Sequence, residues 1–308
     1  MSDQIKHECG IAFIRLLKPL EYYQSKYGSW MYGLHKLYLL MEKQHNRGQD
    51  GAGLATLKLD PIPGRKYIHR FRSNSSTPIK DVFDEVNAFH SRAQRKNPEL
   101  LNDPLWAKEN LPSAACIYLG HLRYGTFGGG DIEFVQPLMR ENNWKSRNLI
   151  LAGNFNMTNV DELFKGLIEL GQHPKEYSDT ITVLEKVGHF LDEENQLLFR
   201  QYKNEGFTNK EISELIAKDI DVKKLLQEAS KDWDGGYAMA GIIGHGDSFV
   251  MRDPWGIRPA FYYADDEIVV VASERPVIQT VMNLKAAAVK EIDPGKALIV
   301  KKNGHVAL

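Results

Sequence analysis

The short apolar segments of this 308-residue chain come in groups, and helical segments lie between the groups rather than alternating with single strands. Strict alternation is typical of a doubly wound parallel sheet, whereas grouped strands and helices favour a layered α+β domain. Strands are predicted at Gly10–Leu17, Gly51–Leu57 and Asn148–Ala152. Helices are predicted over Tyr32–Lys43 and Thr180–Leu191. We therefore expect one α+β domain with insertions.

Two stretches of polar or charged character are the predicted insertions. Residues 60–112 contain six prolines and are expected to be mostly loop, with one helix near Asp81–Lys96. Residues 195–229 include a charged amphipathic helical stretch, Asn209–Ala229. Solvated elaboration of the domain is one interpretation of both insertions, and docking of a partner is the other.

The charge balance and the hydropathy pattern bear on the class of partner. The formal net charge is -1, from 39 basic and 40 acidic side chains, which gives no excess of basic residues for binding a nucleic acid. No apolar run approaches the roughly 18 to 20 residues that span a bilayer. The first eight residues, MSDQIKHE, lack the apolar region of a signal peptide. We expect a cytoplasmic protein that binds neither nucleic acid nor membrane.

Cysteine occurs only twice, at Cys9 and Cys116. Two thiols are too few for a four-thiolate zinc or iron–sulfur site within the chain, so no metal site is expected. Cys116 lies in the apolar segment Ala114–Leu122, which predicts an inert core cysteine. Cys9 directly precedes the first predicted strand, and burial in the core is one interpretation of this residue taken alone.

The position of Cys9 permits a second interpretation. If the peptide bond between Glu8 and Cys9 is cut, Cys9 carries both a thiol and a free α-amino group. An α-amine has a reference pKa of about 7.7 to 8.0, so it can accept the thiol proton near neutral pH. One residue then supplies both the nucleophile and its base. Under this hypothesis residues 1–8 are a leader that is removed.

Six sequence blocks spread over most of the chain support the second interpretation. They are Glu8-Cys-Gly-Ile, Arg47-Gly-Gln-Asp-Gly-Ala-Gly, Gly120-His-Leu-Arg-Tyr-Gly-Thr, Ala152-Gly-Asn-Phe-Asn-Met-Thr-Asn, Ser178-Asp-Thr and Arg252-Asp-Pro-Trp-Gly-Ile-Arg-Pro, with Ala272-Ser-Glu-Arg following the last. Their order and spacing resemble the class II glutamine amidotransferases, which are N-terminal-nucleophile hydrolases, and most closely the glutaminase half of amidophosphoribosyltransferases. The resemblance implies a four-layer αββα sandwich of the N-terminal-nucleophile hydrolase type.

The resemblance also implies residues that bind the substrate, free glutamine. Arg123 would clamp the α-carboxylate with its guanidinium fork, and Thr126 would add a hydrogen bond to the same group. Asp179 would face the α-ammonium. The Ser178-Asp-Thr segment is equally suited to cap the helix that follows it, so the two interpretations of Asp179 stay open.

The catalytic roles implied by the resemblance centre on Cys9. Cys9 would be the nucleophile, and the Asn154 side-chain amide with the Phe155 backbone N–H would form the oxyanion hole. Arg47 and Gly48 would form the turn that holds the nucleophile in place.

Two departures from the family pattern concern this machinery. The family usually has His-Asn-Gly-Asn where this chain has Gly153-Asn-Phe-Asn. Phe155 keeps the N–H donor, but a turn with positive φ there would cost about 1 to 2 kcal/mol. Asn46 is inserted within the usual Gln-His-Arg-Gly-Gln run and is expected to shift that loop.

The family's complete enzymes continue into a phosphoribosyltransferase domain that uses ammonia in purine biosynthesis. Paired aspartates that end a strand are typical of that domain, whereas Asp265-Asp266 here precede one, so the domain is expected to be absent. The chain is thus expected to hydrolyse glutamine to glutamate and ammonia through a cysteinyl thioester. Its ammonia would go to a phosphoribosyltransferase domain or subunit.

The resemblance implies no metal or organic cofactor, and homo-oligomerisation is an open expectation. One alternative is an amidotransferase domain serving another acceptor. Another is a non-catalytic regulatory or scaffold domain of the same fold.

Overall fold

The computed structural model describes residues 8–125 and 131–308. These residues form two compact units. The first unit comprises the described residues within Met1–Pro137, together with Ala152–Asn154 and Pro259–Ile292. The second unit comprises Leu138–Leu151, Phe155–Arg258 and Asp293–Leu308.

Strands and helices are numbered along the chain. The strands are β1 (Gly10–Leu16), β2 (Gly51–Leu57), β3 (Ile68–Ser73), β4 (Ile117–Arg123), β5 (Leu138–Arg140), β6 (Leu149–Met157), β7 (Gly235–Ile243), β8 (Ser248–Arg252), β9 (Phe261–Ala264), β10 (Ile268–Ala272), β11 (Lys290–Glu291), β12 (Ala297–Val300) and β13 (Val306–Ala307). The helices are α1 (Leu20–Tyr27), α2 (Tyr32–Lys43), α3 (Pro78–Lys96), α4 (Pro104–Asn110), α5 (Val160–Glu169), α6 (Asp179–Asn204), α7 (Asn209–Asp219), α8 (Val222–Ala229) and α9 (Arg275–Met282).

The first unit is organised around one antiparallel sheet. Its strand order is β11-β9-β10-β1-β4-β2-β3, and every residue of β1, β2 and β4 is buried. The central strand β1 pairs with β10 on one side and with β4 on the other. Helix α2 packs against β1 and β4, and α3 packs against β2 and β3. Because β1 begins one residue after Cys9, the sheet fixes the position of that thiol.

The second unit contains the other antiparallel sheet, in the order β13-β12-β8-β7-β6-β5. Buried side chains of α6, α7 and α8 form a hydrophobic core with this sheet. The apolar contributions of the last two helices are Ile212, Ile216, Val222, Leu225, Leu226 and Ala229. Residues 209–229 therefore supply part of the core, although their charged composition predicts a solvated segment.

Several secondary-structure predictions match the structure, and two do not. The helix Tyr32–Lys43 and the strand Gly51–Leu57 have the expected bounds. Strand β3, in the predicted insertion 60–112, was not expected. The predicted helical stretch Asn209–Ala229 is two helices, because the Asp221 side chain accepts a hydrogen bond from Lys224 N at 3.0 Å and starts a new one.

Two antiparallel sheets combined with separate helices make an α+β protein, as predicted. No helix among residues 8–125 and 131–308 is long and apolar enough to cross a membrane.

Candidate active site

The Cys9 thiol lies at the end of strand β4. Gly10, the first residue of β1, pairs with Leu122 of β4, so the residue before it is close to the residues that follow β4. The Tyr124 backbone N–H donates to Cys9 Sγ across 3.4 Å, and Cys9 is half-buried. Tyr124 directly follows Arg123. The structure thus brings the predicted nucleophile beside the segment that carries the predicted carboxylate clamp.

Arg47 fixes the backbone around Cys9. Its Nε donates to the carbonyl oxygen of Cys9 at 3.2 Å, and its Nη2 lies 2.9 Å from Glu8 Oε2. Its Nη1 lies 3.3 Å from Glu274 Oε1. The Arg47 side chain is 13% exposed, so these contacts are largely shielded from solvent. Arg47 therefore holds the Cys9 backbone from the carbonyl side, and its supporting role in catalysis stays a prediction.

Sequence reasoning did not assign a role to the residues that brace β1 from β10 and α2. Ser273 Oγ accepts a hydrogen bond from Ile11 N at 2.9 Å, and Gln44 Nε2 donates to Ile11 O at 2.9 Å. Glu274 is the second carboxylate on Arg47. Ser273 and Glu274 lie in the Ala272-Ser-Glu-Arg block. That block is therefore the sequence feature that could have indicated their supporting contacts.

Gly48 is required by a close approach of two backbones. A Cβ at this position would lie 2.6 Å from the carbonyl carbon and oxygen of Arg123. The residue is extended, with φ −155°, so the close approach of the backbones, and not a positive φ, accounts for glycine at this position. Helix α2 ends earlier, at Lys43, and the inserted Asn46 is accommodated in a single turn of 3₁₀ helix, His45–Arg47.

Arg123 is the last residue of β4 and is only 4% exposed. Its carbonyl oxygen accepts from Asp50 N at 3.0 Å, and Asp50 Oδ2 accepts from Gly125 N at 2.8 Å. A Cβ added to Gly125 would lie 3.4 Å from Asp50 Oδ2 and 3.6 Å from Arg123 Nη1. Asp50 is thus another residue to which the sequence analysis assigned no role, and it orders the chain beside the guanidinium.

Two buried side chains hold the peptide groups of Gly153, next to Asn154. His121 Nε2 lies 3.1 Å from Gly153 O, and Gly153 N donates to Gln136 Oε1 at 2.6 Å. Burial, with a smaller contribution from Arg123, lowers the pKa of His121 to about 3, against the raising effect of its hydrogen bond to Gly153. The imidazole is therefore neutral at pH 7 and donates its Nε2 proton to the carbonyl. Asn154, itself 4% exposed, follows directly.

The Asn154 side chain contacts the residue that precedes the nucleophile. Its Nδ2 lies 3.3 Å from Glu8 Oε2, the same oxygen that Arg47 contacts. The Glu8 carboxylate thus accepts hydrogen bonds from a predicted oxyanion donor and from the guanidinium that holds Cys9.

Phe155 belongs to the second unit. Its ring is half-buried and packs against the hydrophobic core there. Among the described residues other than glycine, only Asp60 and Asn283 have positive φ. Phe155 therefore carries none of the backbone cost expected for a turn with positive φ.

Asp179 also lies in the second unit, as the first residue of α6. Ser178 is the N-cap, and its Oγ accepts from Ile181 N at 3.2 Å. Asp179 Oδ1 accepts from Thr180 N at 2.7 Å. Burial raises the pKa of Asp179, against the lowering effect of the Thr180 hydrogen bonds and of Arg258. The segment caps the helix, and binding of a substrate ammonium by Asp179 stays a prediction.

Thr126 lies outside the described residues, so its predicted hydrogen bond to a substrate carboxylate also stays a prediction. Within residues 8–125 and 131–308 no three histidine, cysteine, aspartate or glutamate side chains form a group that could hold a metal ion.

The Arg252–Pro259 block builds a braced loop in the second unit. Asp253 is buried, and its carboxylate accepts from the backbone N–H groups of Trp255, Ile257 and Arg258 at 2.9 to 3.0 Å. Arg252 donates to the carbonyl oxygens of Gly256 and Arg258. The two charged side chains together fix a loop of which the Trp255 side chain is the exposed tip.

Comparison with curated proteins finds amidophosphoribosyltransferases. That of Methanocaldococcus jannaschii is 28% identical over 267 residues, which are 86% of this chain and 44% of that protein. That of Bacillus subtilis is 27% identical over 279 residues, covering 89% of this chain and 43% of that protein. No protein-family model matches.

Solved structures give the same result for the fold. Glutamine phosphoribosylpyrophosphate amidotransferase from B. subtilis, complexed with ADP and GMP, matches with a TM-score of 0.60 and 21% identity, over 96% of this chain and 48% of that one. A structure described as the allosteric regulatory enzyme of purine biosynthesis matches with a TM-score of 0.56 and 24% identity, over the same shares. These likenesses show that the chain has the fold of the two matched structures, and they confirm the predicted α+β fold class.

The predicted resemblance to amidophosphoribosyltransferases is thereby confirmed, and it supports an enzyme domain of the amidotransferase type. The chain spans about half the length of the curated relatives that it matches.

Proposed function

We propose that this chain is the ammonia-releasing half of an amidophosphoribosyltransferase-type enzyme, and that it hydrolyses glutamine to glutamate and ammonia with Cys9 as nucleophile. The observation that carries the proposal is the 3.4 Å contact between Cys9 Sγ and the Tyr124 N–H, directly after Arg123. It supports a site in which a thiol and a carboxylate-binding guanidinium serve one substrate.

The reaction begins with transfer of the Cys9 thiol proton to the Cys9 α-amine, once residues 1–8 have been removed. The thiolate attacks the side-chain carbonyl carbon of glutamine and forms a C–S bond. The negative charge that develops on the carbonyl oxygen is stabilised by the Asn154 amide and the Phe155 N–H. The α-ammonium then returns its proton to the amide nitrogen, the C–N bond breaks, and ammonia leaves.

The resulting γ-glutamyl thioester is hydrolysed by water. The Cys9 amine accepts a proton from the attacking water, the C–S bond breaks, and the proton returns to the sulfur. The sum is one glutamine and one water converted to one glutamate and one ammonia. Arg123 and Thr126 bind the α-carboxylate throughout, and Asp179 binds the α-ammonium. These steps use protein groups and water alone.

Glu8 is proposed to keep the site inactive while it remains attached. Its peptide bond removes the basicity of the Cys9 nitrogen. Its carboxylate also accepts a hydrogen bond from Asn154, a donor that the oxyanion would need. Removal of residues 1–8 frees the amine and Asn154 together.

The released ammonia is proposed to reach a phosphoribosyltransferase domain or subunit, since the relatives are about twice as long as the matched region. This assigns the chain to purine biosynthesis.

The test compares ammonia release from glutamine by Cys9→Ala and Cys116→Ala variants of the mature chain. The proposal requires that Cys9→Ala loses the activity and that Cys116→Ala, altered at a buried thiol, keeps most of it. Equal activity of the two variants would refute the assignment. A mature wild type that binds glutamine without releasing ammonia would instead favour the scaffold alternative.

A further inference from the structure

A cavity in the first unit lies away from the Cys9 site. It has a volume of about 210 Å³ and lies between the segment 58–67 and helix α4. Lys58 directly follows β2, whose other end, at Gly51, pairs with Arg123. A strand of seven residues is roughly 20 Å long, so the cavity lies at the far end of β2 from the catalytic machinery.

The walls of this cavity are held in place by contacts within the unit. Lys58 N donates to Tyr67 O at 2.9 Å, which closes the segment into a loop. Arg65 Nη1 lies 3.5 Å from Glu109 Oε2 of α4 and joins the loop to the helix. The cavity is therefore built by local structure on both sides.

Positive charge dominates the lining. Lys58, Arg65, Lys66 and Lys108 contribute four cationic groups, against two carboxylates, Asp60 and Glu109. One of the carboxylates, that of Glu109, is already paired with Arg65. The remaining lining is mostly apolar, and it includes the exposed side chains of Ile62 and Leu105.

Lys58 is the buried cation among these four lining residues. It is 8% exposed, and its Nζ donates to the Lys108 carbonyl at 2.7 Å. Within the part of the chain that the structure describes, no carboxylate lies within 4.0 Å of that ammonium group. A buried cation without an acidic partner is costly, and an anion bound in the cavity would remove that cost.

The titration of the neighbouring groups agrees with this geometry. Burial, with smaller contributions from Arg65 and Lys108, lowers the pKa of Lys58 to about 8. Burial also lowers the pKa of His69 to about 4, with contributions from Lys58 and Lys66. Both shifts come mainly from burial, and the neighbouring cations add to each of them.

We propose that this cavity binds a small organic anion, with a carboxylate or phosphate group on Lys58 and a compact apolar body against Ile62 and Leu105. Because four cationic side chains and two carboxylates line the cavity, the ligand is expected to carry a negative charge. The cavity of about 210 Å³ has room for a body the size of one aromatic ring. The site is independent of the Cys9 chemistry.

The test is isothermal titration calorimetry of the whole chain at pH 7 with benzoate and with phenyl phosphate. Benzyl alcohol is the neutral analogue and inorganic phosphate is the anion without an apolar body. At least one of the two organic anions should bind at least tenfold more tightly than benzyl alcohol does and at least tenfold more tightly than inorganic phosphate does. The stronger of the two identifies the anionic group. Binding of neither organic anion overturns the proposal.

Variants locate the site. Lys58→Met, which keeps the length and loses the charge, should weaken binding at least tenfold, whereas Lys210→Met, at the exposed start of α7, should leave it unchanged. Equal affinity of wild type and Lys58→Met contradicts the assignment. If Lys58→Met does not fold, the double variant Arg65→Gln/Lys66→Gln, altered at two exposed lining residues, replaces it as the test. An unchanged affinity in that double variant refutes the site. Cys9→Ala should bind as wild type does, so failure of the proposed catalysis leaves this result intact.

Discussion

Glu8 Oε2 accepts a hydrogen bond from Asn154 Nδ2 at 3.3 Å, although the two residues are 146 positions apart in the chain. The contact joins the residue before the predicted nucleophile to the predicted oxyanion donor. Arg47 contacts the same carboxylate oxygen at 2.9 Å and the Cys9 carbonyl at 3.2 Å. The residue before Cys9 therefore occupies hydrogen-bonding groups that catalysis would use.

A chain that begins at Cys9 should react with a diazo-ketone analogue of glutamine, and a chain that retains Glu8 should not. The reason is that retention of Glu8 keeps the Cys9 nitrogen acylated and Asn154 occupied. Intact-mass measurement and peptide mapping locate the label. Cys116→Ala in the shortened chain is the control and should be labelled at Cys9 as usual. Labelling of both chains at one rate would contradict the proposed role of residues 1–8.

Asn154→Ala should lower kcat by about a hundredfold to a thousandfold while KM for glutamine changes little, because the donor acts on the charge that forms in the transition state. Steady-state kinetics of ammonia release measure both constants. Asn156→Ala is the matched control, since Asn156 is an exposed residue of the same strand. An unchanged kcat in Asn154→Ala would exclude this residue as the oxyanion donor.

Arg123→Lys should raise KM for glutamine about tenfold or more, because a lysine keeps the charge but cannot pair bidentately with the α-carboxylate. Hydrolysis of an amide analogue that lacks the α-carboxylate should be nearly equal in the variant and in the wild type. Arg92→Lys, at an exposed position on α3, serves as control and should keep the wild-type KM. If Arg123→Lys prefers glutamine over the amide analogue as strongly as the wild type does, the substrate α-carboxylate is not bound by Arg123.

His121 gives the stability of the fold a defined pH dependence. Because the folded-state pKa of His121 is lowered to about 3, the unfolded chain binds more protons between that value and about 6.5. The free energy of unfolding should therefore fall as the pH drops, with about 2 kcal/mol from this residue between pH 7 and pH 5. Urea unfolding of His121→Gln should have a shallower pH dependence by that amount. Parallel curves for variant and wild type would show that His121 is not the group responsible.

Gly48→Ala should lower the free energy of unfolding by about 1 to 3 kcal/mol, because the new methyl group would lie within 2.6 Å of the Arg123 backbone. Glutaminase activity should fall as well, since Arg123 would be displaced. Gly166→Ala is the control: a Cβ there meets open space on α5 and should raise stability by up to about 1 kcal/mol. Similar destabilisation of both variants would rule out the steric explanation.

The spacing of apolar residues along the sequence correctly predicted those helices and strands whose own residues are largely buried. The apolar spacing of Tyr32–Lys43 and the apolar run after Cys9 were sufficient for α2 and β1. Strand β3 was missed because its sequence, IHRFRS, buries only Ile68 and Phe71. A strand with so little apolar surface is defined by its pairing with β2, which lies outside its own sequence window.

The same distinction holds for the candidate site. Cys9, Asn154 and Arg123 were predicted as site residues because the blocks around them resemble a family. Their supports were missed because each acts across a long stretch of chain or through its backbone: Gln136 holds Gly153, and Asp50 orders Gly125. No pattern within a window of ten residues contains those contacts.

His121 and Arg123 are two residues apart on β4, so their side chains extend from the same face of the strand. One positions the peptide before Asn154, and the other is the proposed carboxylate clamp. A slip of one residue in the pairing of β4 with β1 would turn both away simultaneously. Mutations that disturb this pairing should therefore divide a population into fully competent and wholly inert molecules, rather than produce a uniformly weakened enzyme.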